Sequence, residues 1–194
     1  IGNISTGSSG TYYVTATLNN CSASNSTTVV IRSTPAAPVV NNIAYCQFAT
    51  AAPLTATATT GNSLNWYTVA TGGTPQATAP TPSTTTTGTT SYYVSQISSA
   101  GCESPRAAIT VTVTITPIIT ATLINPVSCY GTDGSIILKG LSAGTNYTVH
   151  YNNSATNITT NIIADASGNV VIANLPASTY SNIFVSLGSC SSNI

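Results

Sequence analysis

Residues 109–115 read ITVTVTI, with isoleucine or valine at every second position and threonine between them. Strict alternation with a period of two is the pattern of a strand that has one buried and one solvated face. Residues 146–151, NYTVHY, alternate in the same way and place Tyr147, Val149 and Tyr151 on one face. No stretch keeps the apolar spacing of a helix over three turns. The sequence therefore predicts an all-β protein of short strands and turns, typical of β-sandwich modules.

An internal repeat sets the domain organisation. The segment TYYVTATLNNCSASNSTTVVIRSTP (11–35) aligns with SYYVSQISSAGCESPRAAITVTVTITP (91–117), which indicates a unit of about 80 residues. The matched positions are Tyr12-Tyr13-Val14 with Tyr92-Tyr93-Val94, Cys21 with Cys102, and Pro35 with Pro117. Proline lacks the N–H that a strand ladder needs, so Pro35 and Pro117 mark boundaries.

We therefore expect three parts in an extended array. Residues 1–34 are the C-terminal part of one module, 35–116 form a complete module, and 117–194 form a third that lacks its last strand. The Met-free sequence starts with Ile1, and we expect it to be a piece of a longer chain. The run TPSTTTTGTT (81–90) could be a glycosylated stalk, but its place within a module favours a loop or edge strand.

Composition narrows the class of protein. The chain has 194 residues, with three Lys or Arg and three Asp or Glu, so its net charge is zero. A chain without net charge has no electrostatic field that would attract nucleic acid or an acidic membrane surface, so neither partner is expected. A hydrophobic share of 42% argues against disorder, and no apolar run is long enough for membrane insertion. The hydroxyl- and amide-rich remainder is typical of an extracellular β protein.

Five cysteines occur, and none forms a C-x-x-C pair, which argues against zinc and thioredoxin-type sites. The simplest expectation is one disulfide in each of the last two modules, Cys46 with Cys102 and Cys129 with Cys190. Disulfides imply an oxidising compartment. Cys21 is then unpaired in this fragment, and its alignment with Cys102 predicts a partner located before Ile1.

Residues 38–115 resemble the Ig-like modules found in tandem in large surface and secreted proteins of Bacteroidota. The matching elements are Tyr45-Cys46-Gln47, Trp66-Tyr67, Gly72-Gly73, the Tyr92-Tyr93-Val94 strand and Gly101-Cys102-Glu103-Ser104. In Ig folds a tryptophan packs on the disulfide, so Trp66 is expected in the core. Tyr92 and Tyr93 are expected there as well. The alternative for Trp66 is an exposed platform for sugar stacking.

The third module resembles the repeat of the gliding-motility adhesin SprB and its relatives. It has Cys-x-Gly-x-x-Gly-Ser-Ile at 129–136 and a Leu-Pro-Ala-Ser-Thr-Tyr turn at 175–180, where Ser178 replaces the usual glycine. The resemblance implies a bacterial cell-surface protein exported by the type IX system that extends from the cell.

No residue set predicts catalysis, a metal site or a cofactor. His150 could be combined with Asp133 or Asp165 as a triad, but it alternates with core residues and so lies on the solvated face. No Gly-x-Ser-x-Gly elbow is present. Asp133 alone is too little for calcium and is typical of a turn. Lys139 could form an isopeptide bond, but disulfide stapling is the better expectation.

The sequence thus predicts a non-enzymatic, structural or adhesive stalk. Its expected partners are neighbouring modules of the same polypeptide, and surfaces or polysaccharides; nucleic acid and membrane insertion are not expected. One alternative is a spacer or carbohydrate-binding module of a secreted polysaccharide-degrading enzyme. The other is a filament subunit that self-assembles by strand donation, which would cover exposed strand edges.

Overall fold

A computed structural model describes residues 9–128 and 130–192. The regular secondary structure in these ranges consists of β-strands alone. The first eight are β1 (Gly10–Leu18), β2 (Cys21–Val29), β3 (Val39–Val40), β4 (Ile43–Cys46), β5 (Ala56–Thr57), β6 (Ser63–Tyr67), β7 (Gly88–Ile97) and β8 (Ala107–Thr114). The other seven are β9 (Thr120–Ile124), β10 (Gly134–Lys139), β11 (Asn146–Asn153), β12 (Thr156–Ile163), β13 (Val170–Leu175), β14 (Tyr180–Leu187) and β15 (Cys190–Ser191). The predicted all-β class is confirmed.

The chain folds into two compact units, whose boundary crosses β7 and β8. The first unit takes its described residues from 1–42, 53–80 and 91–110, and the second from 43–52, 81–90 and 111–194. Each unit is described separately below.

In the first unit, β1 and β2 form an antiparallel hairpin whose two-residue turn is Asn19-Asn20. Both asparagines have positive φ, 48° and 64°, as a type I′ turn requires, and asparagine tolerates that conformation well. Every residue of the two strands is exposed.

The rest of the first unit is built on the antiparallel pair β6–β7, which runs from Ser63 opposite Ile97 to Tyr67 opposite Tyr93. Strands β3 and β5 form a short second pair. The buried apolar side chains of this unit include Leu54, Trp66, Tyr67, Val94 and Ile109. The run 81–90, which belongs to the second unit and was assigned from sequence to a loop or edge strand, is irregular up to residue 87 and then begins β7.

In the second unit, β4 lies parallel to the end of β8, from Ile43 opposite Val111 to Cys46 opposite Thr114. The predicted alternation is confirmed for 109–113, because Ile109, Val111 and Val113 are all buried, whereas Ile115 follows the end of β8 and is 43% exposed.

Strands β9–β15 of the second unit form a sandwich. One sheet has the order β13-β10-β9 and the other the order β12-β11-β14-β15. Their facing sides share one core, to which β11 contributes Tyr147, Val149 and Tyr151, as the sequence predicts. The other core residues are Ile136, Leu138, Leu141, Ala164, Val170, Ile172, Leu175 and Val185.

Candidate functional site: a disulfide junction

Strand β4 ends at Cys46, and the parallel ladder with β8 fixes the position of this cysteine. Cys46 lies opposite Thr114, and the next residue, Gln47, extends the ladder by donating its N–H to the Thr114 carbonyl at 2.8 Å. The Thr116 hydroxyl donates to the Gln47 carbonyl at 3.2 Å. Cys46 is therefore held at the place where β8 leaves the Ig-like segment.

Cys190 reaches the same place from the C-terminal sandwich. It is the first residue of β15, lies opposite Leu187 of β14 and is only 1% exposed. Cys46 and Cys190 form a disulfide with a Cα–Cα distance of 5.4 Å and a sequence separation of 144 residues. We call this disulfide and the segment 114–118 beside it the disulfide junction.

This disulfide corrects the expected pairing of Cys46 with Cys102 and of Cys129 with Cys190. The physical reason is the parallel register. Cys46 lies opposite the last residue of β8, whereas Cys102 precedes the first, so the eight residues of β8 lie between the two positions. A disulfide needs Cα atoms within about 7 Å of each other. Cys129 lies outside the described residues.

Two described cysteines are free thiols. Cys21 is exposed at the start of β2, and Cys102, its repeat equivalent, is half-buried in the loop between β7 and β8. Cys21 was predicted to be unpaired in this fragment, and it is a free thiol in the structure. The aligned cysteines thus share the same chemical state, so the repeat itself gives no reason to assign a disulfide partner to Cys21.

An aromatic side chain missed by sequence reasoning lies beside the disulfide junction. Phe48 has φ of +65°, which a bulky residue rarely adopts, and its ring is 74% exposed. Its N–H donates to the Thr84 carbonyl at 2.9 Å. The ring borders a cleft of about 380 Å³ whose apolar walls are Ile115, Pro117, Ile118, Leu141 and Tyr147.

A second arrangement fixes the loops of the first unit through the rare charged residues. The Arg106 guanidinium donates to the Val69 and Gly72 carbonyls, both at 2.7 Å, and its Cζ lies 3.2 Å from the centre of the Tyr67 ring. A cation over an aromatic face is attracted by the ring quadrupole. Arg106 therefore joins the loop after β6 to the loop before β8.

Glu103 completes this arrangement as an acceptor. The hydroxyls of Ser95 and Tyr67 both donate to its Oε1, the latter at 2.5 Å. These two hydrogen bonds lower the pKa of Glu103 below its ordinary value of 4.5, with Ser95 the larger cause. Hydrogen bonds to a carboxylate favour its charged form.

The three aromatic residues expected in the core differ in burial. Trp66 is 3% exposed, whereas Tyr92 and Tyr93 are half-buried. Because Cys46 pairs with Cys190, the expectation that Trp66 packs on an intramodule disulfide loses its basis.

The residues considered for catalysis and calcium lie in separate settings. His150 bonds to the Thr159 and Ser186 hydroxyls, each at 3.2 Å, and stacks on Phe184. Asp165 accepts the N–H groups of Asn169 and Ser167, which lower its pKa, as expected of a turn residue. None of these hydrogen bonds joins His150 to Asp165.

Asp133 accepts one backbone N–H, that of Val127, at 3.3 Å, and Lys139 is exposed at the end of β10. Among residues 9–128 and 130–192, no three His, Cys, Asp or Glu side chains are grouped so that they could hold a metal ion. The same residues contain no helix long and apolar enough to cross a membrane.

Comparison with known proteins identifies the central part of the chain. Residues 35–117 match the family described as "Ig-like domain CHU_C associated", which identifies an Ig-like domain in this part of the chain. The Ig-like character expected for residues 38–115 is thereby confirmed. No curated protein matches the chain.

Solved structures similar to the chain include domains A168–A170 of titin, at 13% identity and a TM-score of 0.40 over 100% of this chain and 74% of that one. They also include extracellular domains 3–5 of Drosophila OTK, at 12% identity and a TM-score of 0.41 over 97% of this chain and 69% of that one.

Proposed function

We propose that this chain is a non-catalytic, load-bearing segment of a long modular protein on a bacterial cell surface or in a filament. The proposal takes the modules as 1–34, 35–116 and 117–194, as expected from the sequence, with neighbouring modules of the same polypeptide as their first partners. The Ig-like domain at 35–117 supports a structural or adhesive role by analogy of fold. The resemblance of residues 129–136 and 175–180 to gliding-adhesin repeats supports a surface stalk exported by the type IX system.

The disulfide junction is the observation that carries this proposal. It joins Cys46, within the Ig-like domain, to Cys190, at the last strand of the C-terminal sandwich. Tension applied along the polypeptide from outside these two cysteines passes through the disulfide. Residues 47–189 therefore lie in a closed loop that tension on the chain ends does not extend. A covalent bypass of this kind is suited to a protein whose task is to hold its length.

Composition supports the same role. The chain has six charged residues among 194, so its surface interactions change little with ionic strength. Hydroxyl and amide groups dominate its polar surface and can hydrogen-bond to neutral polysaccharide. A tip carried by such a stalk would meet surfaces or polysaccharides at a fixed distance from the cell.

Single-molecule force spectroscopy tests the proposal. The chain is held at its two ends and stretched with and without reductant. Because the two cysteines are 144 residues apart in sequence and an extended chain spans roughly 3.5 Å per residue, we expect about 500 Å of extension to appear only after reduction.

Two variants provide the controls. Cys46→Ser should release the same extra length without reductant, whereas Cys102→Ser, at a free thiol, should behave like the unaltered chain. If the oxidised chain already releases the full length, the disulfide does not bear load and the proposed mechanism is wrong.

A further inference from the structure

The hairpin β1–β2 separates its side chains by chemistry. Residues directly opposite each other in an antiparallel pair have their side chains on the same face, so the register assigns every side chain to one of the two faces of the hairpin. One face, which we call the hydroxyl face, carries only hydroxyl side chains: Thr11, Tyr13, Thr15, Thr17, Ser22, Ser24, Ser26 and Thr28. The other, which we call the apolar face, carries Tyr12, Val14, Ala16, Leu18, Cys21, Ala23, Asn25, Thr27 and Val29.

Two large side chains of the apolar face, those of Val14 and Leu18, are mostly exposed to solvent. Val14 is 74% exposed and Leu18 is 76% exposed. An isolated two-stranded hairpin is marginally stable in water, because it has no second layer on which to bury its apolar side. Apart from Asn25 and Thr27, the polar side chains lie on the hydroxyl face, and this sorting indicates that the apolar face is made to be covered.

The internal repeat identifies what covers such a face. Val94, the repeat equivalent of Val14, is 0% exposed. On the second strand, Thr27 and Val29 align with Ile109 and Val111, which are also fully buried. Positions equivalent to the apolar face therefore form the core of the Ig-like domain. In that domain the segment that precedes them is residues 35–90, which we call the front segment.

We propose that the apolar face of β1–β2 is the docking surface for the front segment of another Ig-like module, located in the same polypeptide. The partner then has the chemistry of residues 35–90, a segment without a single charged residue that supplies the buried Leu54, Trp66 and Tyr67. The hairpin is also uncharged, so the two surfaces meet without burying an unpaired charge. This inference deepens the proposed modular stalk and rests on it for the location of the partner.

The size of the apolar face argues against a second copy of the chain as the occupant. Two strands of nine residues cover a surface roughly 30 Å long and about 10 Å wide. Two such faces would bury ~600 Å² in total, whereas a stable interface between separate chains needs about 1,200 Å² or more. A front segment in the same polypeptide docks at a high effective concentration and does not need that area.

The experiment grafts the proposed partner onto the full chain. A copy of residues 35–90 is joined directly to Thr11, the repeat equivalent of Ser91. Amide hydrogen exchange is measured for β1 and β2 in the grafted and the unaltered chain. We expect exchange to slow at least about tenfold in the graft, because docking removes the exposed hairpin from local opening. Val14→Asp in the graft should reverse the protection, and Ser26→Asp, on the hydroxyl face at a position whose repeat equivalent, Ala108, is exposed, should retain it.

Three outcomes decide against the proposal. Equal exchange in grafted and unaltered chains overturns it, as does equal protection with Val14→Asp. Sedimentation of the unaltered chain as a dimer that Val14→Asp dissociates would assign the apolar face to a second copy instead.

A second variant covers the case in which the graft does not fold. Residues 11–31 replace residues 91–113, so that the hairpin must cover the chain's own front segment. Burial of Trp66, seen in its fluorescence, should persist, and exposure of Trp66 would refute the inference. Hydrogen exchange and Trp66 fluorescence are measured without applied force, so the docking inference can fail while the proposed load-bearing function stands, and the reverse.

Discussion

Gln96 offers the sharpest test of how the first unit is held together. Its side chain is 1% exposed, and it makes four hydrogen bonds. Its Oε1 accepts the Thr59 N–H at 2.7 Å and an Asn62 amide hydrogen at 3.0 Å. Its Nε2 donates to the Ala36 carbonyl at 2.6 Å and the Thr59 hydroxyl at 3.1 Å. One buried amide thus connects two separate segments, the one at Ala36 and the turn 59–62, to β7.

Gln96→Leu keeps most of the side-chain volume and removes all four bonds. The backbone N–H of Thr59 and the carbonyl of Ala36 lose partners that the leucine cannot replace. Each polar group left unsatisfied costs about 1–3 kcal/mol, and the added apolar burial offsets part of this. We expect the free energy of unfolding to fall by about 3 kcal/mol.

Urea unfolding monitored by the fluorescence of Trp66, the sole tryptophan, measures this change. The matched control is Gln76→Leu at an exposed glutamine of the same unit, for which we expect a change within about 0.5 kcal/mol. A loss below about 1 kcal/mol for Gln96→Leu, with an unchanged urea dependence, would show that the four bonds do not hold the unit together.

Three further predictions concern the disulfide, Glu103 and Phe48. Peptide mapping without reduction should recover Cys46 linked to Cys190, with Cys21 and Cys102 alkylated as free thiols; a Cys46–Cys102 peptide would contradict the structure. Because the folded-state pKa of Glu103 lies below 4.5, its contribution to stability is present above that pH and is lost as the pH falls through the folded pKa. As the pH falls, the free energy of unfolding should therefore decline less for Glu103→Gln than for the unaltered chain. Identical declines would show that the hydrogen bonds from Ser95 and Tyr67 do not lower the pKa of Glu103. Phe48→Gly should raise stability by about 1 kcal/mol, because glycine adopts positive φ without strain and the exposed ring loses little burial. Phe48→Val, which is stiffer at that φ, should lower stability in the same urea assay.

Local patterns predicted the strands because local sequence decides them. The alternation in β8 and in β11 correctly identified Val111, Val149 and their neighbours as core residues. The disulfide could not be predicted in this way, since it depends on β4 pairing parallel to the far end of β8. The role of Gln96 could not be predicted either, because the sequence does not distinguish a buried glutamine in a strand from an exposed one. The internal repeat gives no help, because the equivalent residue is Ala16. Nothing local marks Phe48, whose backbone conformation is imposed by the turn after Cys46.

The separation of 144 residues between Cys46 and Cys190 also has a consequence in time. A polypeptide emerges from its amino end, so Cys102 becomes available to Cys46 long before Cys190 does. Oxidation that keeps pace with emergence favours the wrong bond, and correct bonding then requires thiol–disulfide exchange, in which a thiolate attacks the earlier bond. In that case maturation of this chain includes a disulfide rearrangement, a step that takes seconds to hours.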